Sequence, residues 1–167
     1  MMRRFLAASL LLAVALPAVA AVSVGQKGSD FSLSNVDDVR FSLATPRTTP
    51  LVLIFTTKDL GNVSQPWRDS LTTTLGSSAQ IQTVLDLGDV SRFLHSVART
   101  RIRAQKSKAI LDWDGSVSTA WRGNDRSRVV VMVVAPDNTV RFILSGIPVS
   151  PNVRQVIEAV RRVAGTR

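Results

Sequence analysis

The chain has 167 residues, 45% of them apolar, with no cysteine and a single histidine, His95. That length suits one domain with its own core, and the composition leaves no disulfide, no thiolate nucleophile, no thiolate metal site and no multi-histidine metal centre. Lysine and arginine number 21 against 12 acids, a formal net charge of +9, which favours anionic partners and says nothing about fold.

The first segment, MMRRFLAASLLLAVALPAVAAV, sets Arg3 and Arg4 before an apolar run over residues 5–16, then Pro17 and the small residues Ala18, Val19 and Ala20. This is the arrangement of a cleaved export signal. It predicts a signal peptide over residues 1–20 and a single domain over residues 21–167, located in the periplasm or outside the cell. The alternative is an uncleaved N-terminal membrane anchor, but the apolar stretch is shorter than the roughly 20 residues that span a bilayer. Phe5 directly follows Arg4, which points to the general secretory route rather than a twin-arginine signal.

Asp30-Phe31-Ser32-Leu33 and Val39-Arg40-Phe41-Ser42-Leu43 alternate apolar and polar residues around Asp37-Asp38, the pattern of a short hairpin. Residues 51–55, LVLIF, form an unbroken apolar run of strand length, as a strand covered on both faces requires. Ser64 is expected to cap a helix with Pro66 in its first turn and Trp67, Leu71 and Leu75 along one side. Residues 81–87 read as the next strand.

Asp89 is expected to cap a second helix. Val90, Phe93, Leu94, Val97 and Ile102 would form its buried stripe, with Arg92, Ser96, Arg99 and Arg103 on the solvent side. Residues 108–112 read as a strand, Asp114-Gly115 as a turn, and the stretch through Val117 and Trp121 as a brief helix. Residues 129–134 read as a central strand, joined by the turn Pro136-Asp137-Asn138 to a returning strand with Val140, Phe142 and Leu144. Ser150 and Pro151 open a last helix with Val153, Val156, Ile157, Val160 and Val163 on one side. Strands alternating with helices predict an α/β fold with a partly parallel sheet and a late antiparallel hairpin.

That order, with Val24-Gly25-Gln26 ahead of Asp30-Phe31-Ser32-Leu33, residues 110–121 (ILDWDGSVSTAW) and residues 126–141 (RSRVVVMVVAPDNTVR), resembles the thioredoxin-like superfamily, in particular its peroxiredoxin branch. The individual patterns are similar to that branch's VGxxAPDFxL, DPDGxxAxxY and RxxxFVIDPDGxVR, with Ser29 in place of the first proline. The chain also resembles a periplasmic thioredoxin-fold group with the patterns FIVDxxGxxxxAW and VVLDxDGxV. The resemblance implies a three-layer α/β/α thioredoxin-like fold with a mixed central sheet and an N-terminal β-hairpin.

In the family the reactive cysteine lies just after the first central strand. Here that loop is Lys58-Asp59-Leu60-Gly61-Asn62-Val63-Ser64, and Ser127 and Arg128 stand where many thioredoxins have a cis-proline. A serine hydroxyl does not replace a thiolate at neutral pH, so cysteine-based oxidoreductase or peroxidase activity is excluded. The resemblance implies binding residues at Lys58, Asp59, Asn62 and Ser64, and at Arg126 or Arg128, which match an arginine that lies beside the thiolate in peroxiredoxins.

Other chemistry finds little support. Asp112, Asp114 and Asp125 lack the spacing and terminal glutamate of an EF-hand loop, so Asp114-Gly115 reads as a turn. No serine sits in a G-x-S-x-G elbow, and no phosphate-binding glycine loop is present, so His95 reads as a partly exposed polar residue and Ser64 as no nucleophile. The run carrying Arg92, Arg99, Arg101, Arg103, Lys106 and Lys108 contains no acid. It is a candidate anionic-surface contact, although a solvated helix face produces the same pattern. Its lack of interleaved aromatics disfavours nucleic acid.

The expectation is therefore an exported, cysteine-free thioredoxin-fold protein that works as a binding or interaction module without cofactor or metal. Its partner would be a protein or a small molecule. The alternatives are a basic module docking anionic envelope polymers or membrane, and an enzyme with an unrecognised non-thiol site.

Overall fold

The computed structural model describes residues 21–165; the signal peptide expected over residues 1–20 lies outside them. Ser32–Ser34 (β1) and Arg40–Ser42 (β2) pair antiparallel, Ser32 opposite Ser42. Asn35 closes their turn by accepting the Asp37 and Val39 N–H groups on its Oδ1 at 2.9 and 3.0 Å, the usual use of an asparagine side chain in a turn.

The remaining elements follow in the expected order: Leu51–Thr57 (β3), Gly61–Leu75 (α1), Gln80–Asp86 (β4), His95–Ala104 (α2), Ile110–Asp112 (β5), Ser116–Arg122 (α3), Val130–Val134 (β6), Val140–Ser145 (β7) and Ser150–Gly165 (α4). The sheet order is β5-β4-β3-β6-β7. β3, β4 and β5 run parallel, β6 is antiparallel to β3, and β7 turns back on β6. β3 holds the middle and is buried at all of its seven positions, which is why it reads as a continuous apolar run rather than an alternation. β6 is interior, between β3 and β7.

Alternate residues of β3 and β6 feed two cores. Val52, Ile54, Val131 and Val133 meet Trp67 and Leu71 of α1 and Val156 and Val160 of α4. Leu51, Leu53, Phe55, Val130 and Met132 meet Trp121 of α3 and Phe31 and Leu43 of the hairpin region. This is the expected three-layer arrangement. The two buried indoles also satisfy their N–H groups, Trp67 on Gly146 O (2.9 Å) and Trp121 on Ser29 O (3.2 Å), so large apolar bodies are buried without stranding a donor. A smaller cluster of Val36, Leu87, Ile102 and Leu111 fastens α2 and the hairpin turn to the β5 edge.

The first described segment belongs to this fabric. Gly25 N donates to Val140 O, Val140 N to Gln26 O and Gly28 N to Asn138 O at 2.8–3.0 Å, extending the edge of β7. Gly28 lies so close to Trp121 that a Cβ there would fall 2.0 Å from the indole, a separation only glycine avoids.

Two helix starts differ from expectation. A 3-10 turn over Lys58–Leu60 leads directly into α1, which begins at Gly61. Ser64 is therefore inside the helix and buried rather than capping it, with its Oγ 3.5 Å from Gly61 O. Pro66 lies a turn deeper than expected, where its missing N–H deprives the Asn62 carbonyl of its i+4 donor. Likewise Asp89 does not cap α2; a 3-10 turn over Arg92–Leu94 precedes that helix, and the Asp89 carboxylate is held by ion pairs.

Candidate functional site

Parallel strands and a helix placed after each leave the C-terminal ends of the strands facing a crevice. Here α1 and α2 stand on either side of β4 and enclose a groove of ≈1090 Å³. Thr83, Leu85 and Leu87 form its floor; Asn62, Ser64, Gln65 and Arg68 its α1 wall; Leu94, Val97, Ala98, Arg101 and Ile102 its α2 wall. Thr83 keeps a buried hydroxyl without a hydrogen-bond partner in that floor.

The α2 wall departs from the expected orientation of its helix. Leu94 is 43% exposed, Val97 63% and Phe93 80%, and Ile102 alone of the stripe's helical residues is buried. The basic face instead makes partly exposed ion pairs with the hairpin turn. Arg99 Nη1 meets Asp38 Oδ1 at 2.9 Å, and Arg103 Nη2 donates to Val36 O at 2.5 Å with Nε 3.4 Å from Asp37 Oδ1. The Arg99 guanidinium also lies 5.9 Å from the Trp113 ring centre, within cation–π range. The hairpin turn supplies the acids that the basic run lacks, which explains why a face read as solvated is engaged.

The basic run is thereby divided. Arg99 and Arg103 are consumed by the hairpin, Arg92 lies outside the groove, and Arg101, Lys106 and Lys108 line it. These three and Arg68 make no ion pair among the described residues.

The opposite end of the groove is charged but neutral overall. Lys58 Nζ bridges Asp59 Oδ2 (2.9 Å) and Asp89 Oδ2 (3.0 Å); Arg126 joins Asp89 Oδ1 (3.2 Å) to Asp86 Oδ1 (2.8 Å); and Arg122 pairs with Asp86 Oδ2 (2.6 Å). Three cations alternate with three carboxylates from solvent into the core, where the Arg122 and Asp86 side chains are 0% and 3% exposed. Arg122 also donates to Asp125 O. Burial alone would push the Asp89 carboxyl up, but its bond to Lys58 and the charges of Arg126 and Lys58 hold it below the ordinary range. Hydrogen bonds to Asp59 and Asp89 raise Lys58.

Of the residues the resemblance singled out, Lys58, Asp59, Asn62 and Ser64 share the groove. Arg126 adjoins it through Asp89 but is occupied by Asp86 and Asp89. Arg128 stands apart, 64% exposed and paired with Asp125. The place of the thiol thus holds a compensated ion chain rather than a free cation. Sequence reading missed Asp86 and Arg122; a lone carboxylate ending an apolar strand was the available signal, since a buried acid requires a partner.

The other carboxylates serve local structure. Asp112 Oδ2 accepts the Ser118 N–H (2.7 Å), Asp114 Oδ1 that of Ser116 (3.0 Å), and Asp125 Oδ1 that of Ser127 (2.9 Å). Burial raises the Asp112 carboxyl above the ordinary range, against the Ser118 hydrogen bonds. Gly115, with φ +71°, turns the chain into α3. His95 opens α2, donating Nε2 to Val90 O (3.1 Å) with its ring 4.3 Å from Trp113.

No family model and no curated protein matches this chain. Solved structures do. The pneumococcal exposed lipoprotein thioredoxin of Streptococcus pneumoniae aligns at TM-score 0.64 and 16% identity over 78% of this chain and 98% of its own. A protein assigned as the thiol:disulfide interchange protein DsbE of Chlorobium tepidum aligns at 0.67 and 14% over 87% and 100%. StoA of Bacillus subtilis aligns at 0.58 and 12% over 78% and 96%. The chain has the thioredoxin-like fold, and it has it without a cysteine.

Proposed function

We propose that this is an exported thioredoxin-fold binding module whose ligand site is the groove between α1 and α2. The observation that carries the reading is the outward-facing edge of α2. Leu94 and Val97 stand exposed along a groove at the C-terminal side of the sheet, where a fold that has no thiol keeps its binding crevice. Export rests on the Arg3-Arg4, apolar-run and Pro17 pattern at the N-terminus.

A thermal-shift screen of residues 21–167 against peptides, anionic polymers and small metabolites at low and high salt tests the binding reading. The supporting result is a hit that survives high salt and is lost in Asn62→Trp or Val97→Asp. Stabilisation by polyanions alone, abolished by salt, rejects it. For export, the secreted protein's N-terminus is expected near Ala21.

A second reading has its own observation. Phe93, the most exposed large apolar side chain described, lies beside Arg92, as in a module that docks an anionic envelope surface. The engagement of Arg99 and Arg103 by the hairpin takes two of the run's six cations from that reading.

A further inference from the structure

We propose that the groove takes a single anionic amphiphile, a molecule with one carboxylate or phosphate head and one unbranched apolar body. This names the ligand class for the groove and rests on the reading of that groove as a binding site.

The inference comes from how charge and apolar surface are distributed along it. The end at Lys58, Asp59 and Asp89 is electrically satisfied within the protein. Arg101, Lys106 and Lys108, at the end where α2 stops and β5 begins, have no carboxylate partner among the described residues. Arg68 on the α1 wall is also without one, so the groove's uncompensated positive charge comes from these four residues and not from the Lys58 end.

Between the ends runs a trough of Leu85, Leu87, Val90, Leu94, Val97 and Ile102. From Leu94 to Ile102 the helical rise makes it about 12 Å long. An extended peptide laid against the α2 side would turn about half of its backbone polar groups toward Leu94, Val97 and Ile102, whose side chains offer no hydrogen-bond partner, which is costly. An alkyl chain needs none and gains up to about 0.8 kcal/mol for each methylene buried, about fourfold in affinity. One apolar trough leading to a cationic end fits a ligand segregated in the same way.

The experiment is calorimetric titration of residues 21–167, which hold every element and every core cluster described, with decanoate and decyl phosphate below their micellar concentrations. Decanol and decyltrimethylammonium serve as the neutral and cationic controls, and vesicles of anionic phospholipid as a separate arm. We expect one saturable site for both anions, strengthening by up to about fourfold per methylene from octanoate to decanoate. The double variant Arg101→Gln, Lys106→Asn should weaken the anions about tenfold and leave decanol unchanged. Asparagine suits position 106 because its φ is +52°. Val97→Asp should abolish binding of every probe; Val97 is exposed, so an unchanged melting temperature shows that the variant folds.

Equal binding of anion, alcohol and cation would overturn the ligand class while leaving the groove a binding site. No binding of any probe, in monomer or vesicle form, would overturn both. Binding to anionic vesicles with no monomer binding would overturn the proposal in favour of surface docking.

Discussion

The helices α4 and α2 carry the same kind of amphipathic sequence and use it in opposite ways. In α4 the apolar side is buried, with Val156, Ile157 and Val160 in the core against β6 and β7. In α2 the apolar side is half bare, and the basic side is bound to the hairpin turn through Asp37 and Asp38. The difference lies in what each helix has beneath it. α4 covers β6 and β7, strands of five and six residues, whereas α2 lies over an edge where β5 has three residues and offers only Leu111 and its neighbours to pack against. Periodicity separates two faces of a helix; the surface available to it decides which face is buried.

The comparison can be broken at several points. The largest effect is expected from placing an acid on each helix in turn. Val160→Asp sets an unpaired charge in the core and should destabilise by about 4 kcal/mol or more, whereas Val97→Asp should stay within about 0.5 kcal/mol; denaturant midpoints measure both, and equal losses would show that α2 is packed like α4. Next, Asp86→Asn leaves the Arg122 cation buried without its charge partner and should cost about 3–5 kcal/mol, read as a lower midpoint at unchanged denaturant slope.

A smaller effect is expected from Asp37→Asn with Asp38→Asn, which removes the ion pairs of Arg99 and Arg103 while asparagine tolerates the φ of +61° at position 38. Partly exposed pairs are worth about 0.2–1 kcal/mol each, so global stability should barely change while the α2 amides exchange faster and those of α4 do not. The smallest concerns pH. Asp89 titrates below its ordinary value, so its contribution is present above the unfolded-state value of about 3.9 and is lost as pH falls through the lower folded value. Lys58 titrates above its ordinary value, so its contribution is present below about 10.4 and is lost as pH rises through the higher folded value. Both groups are largely in water, so each limb should amount to less than about 1 kcal/mol. Lys58→Met should flatten the alkaline limb and shrink the acid one in melting-temperature profiles.

Much of the fold was legible because its cues are local. The LVLIF run, the β-branched stretch before Pro136 and the Ser150-Pro151 opening each state their element within a few residues. The absence of cysteine was equally plain, and with it the exclusion of thiol chemistry. The position of the Lys58 to Ser64 loop was legible; its charge pairing was not. The loop carrying Lys58, Asp59, Asn62 and Ser64 lies at the groove as its position after the first central strand implies. The electrostatics depend on partners far along the chain: Asp38 for Arg99, Asp86 for Arg122 and Arg126, Asp89 for Lys58. No spacing rule links residues so separated. The helix starts at Ser64 and Asp89 were misread for a related reason, because 3-10 turns extended each helical region upstream of its polar candidate cap.

The strand-like segment at residues 25–28 has a consequence for how the chain acquires its shape. Its partners are Asn138 and Val140, with Trp121 against Gly28, so this segment is fastened only to residues far along the chain. The edge it joins lies more than a hundred residues further along the chain, and closing so long a loop makes its attachment a late and slow step in folding.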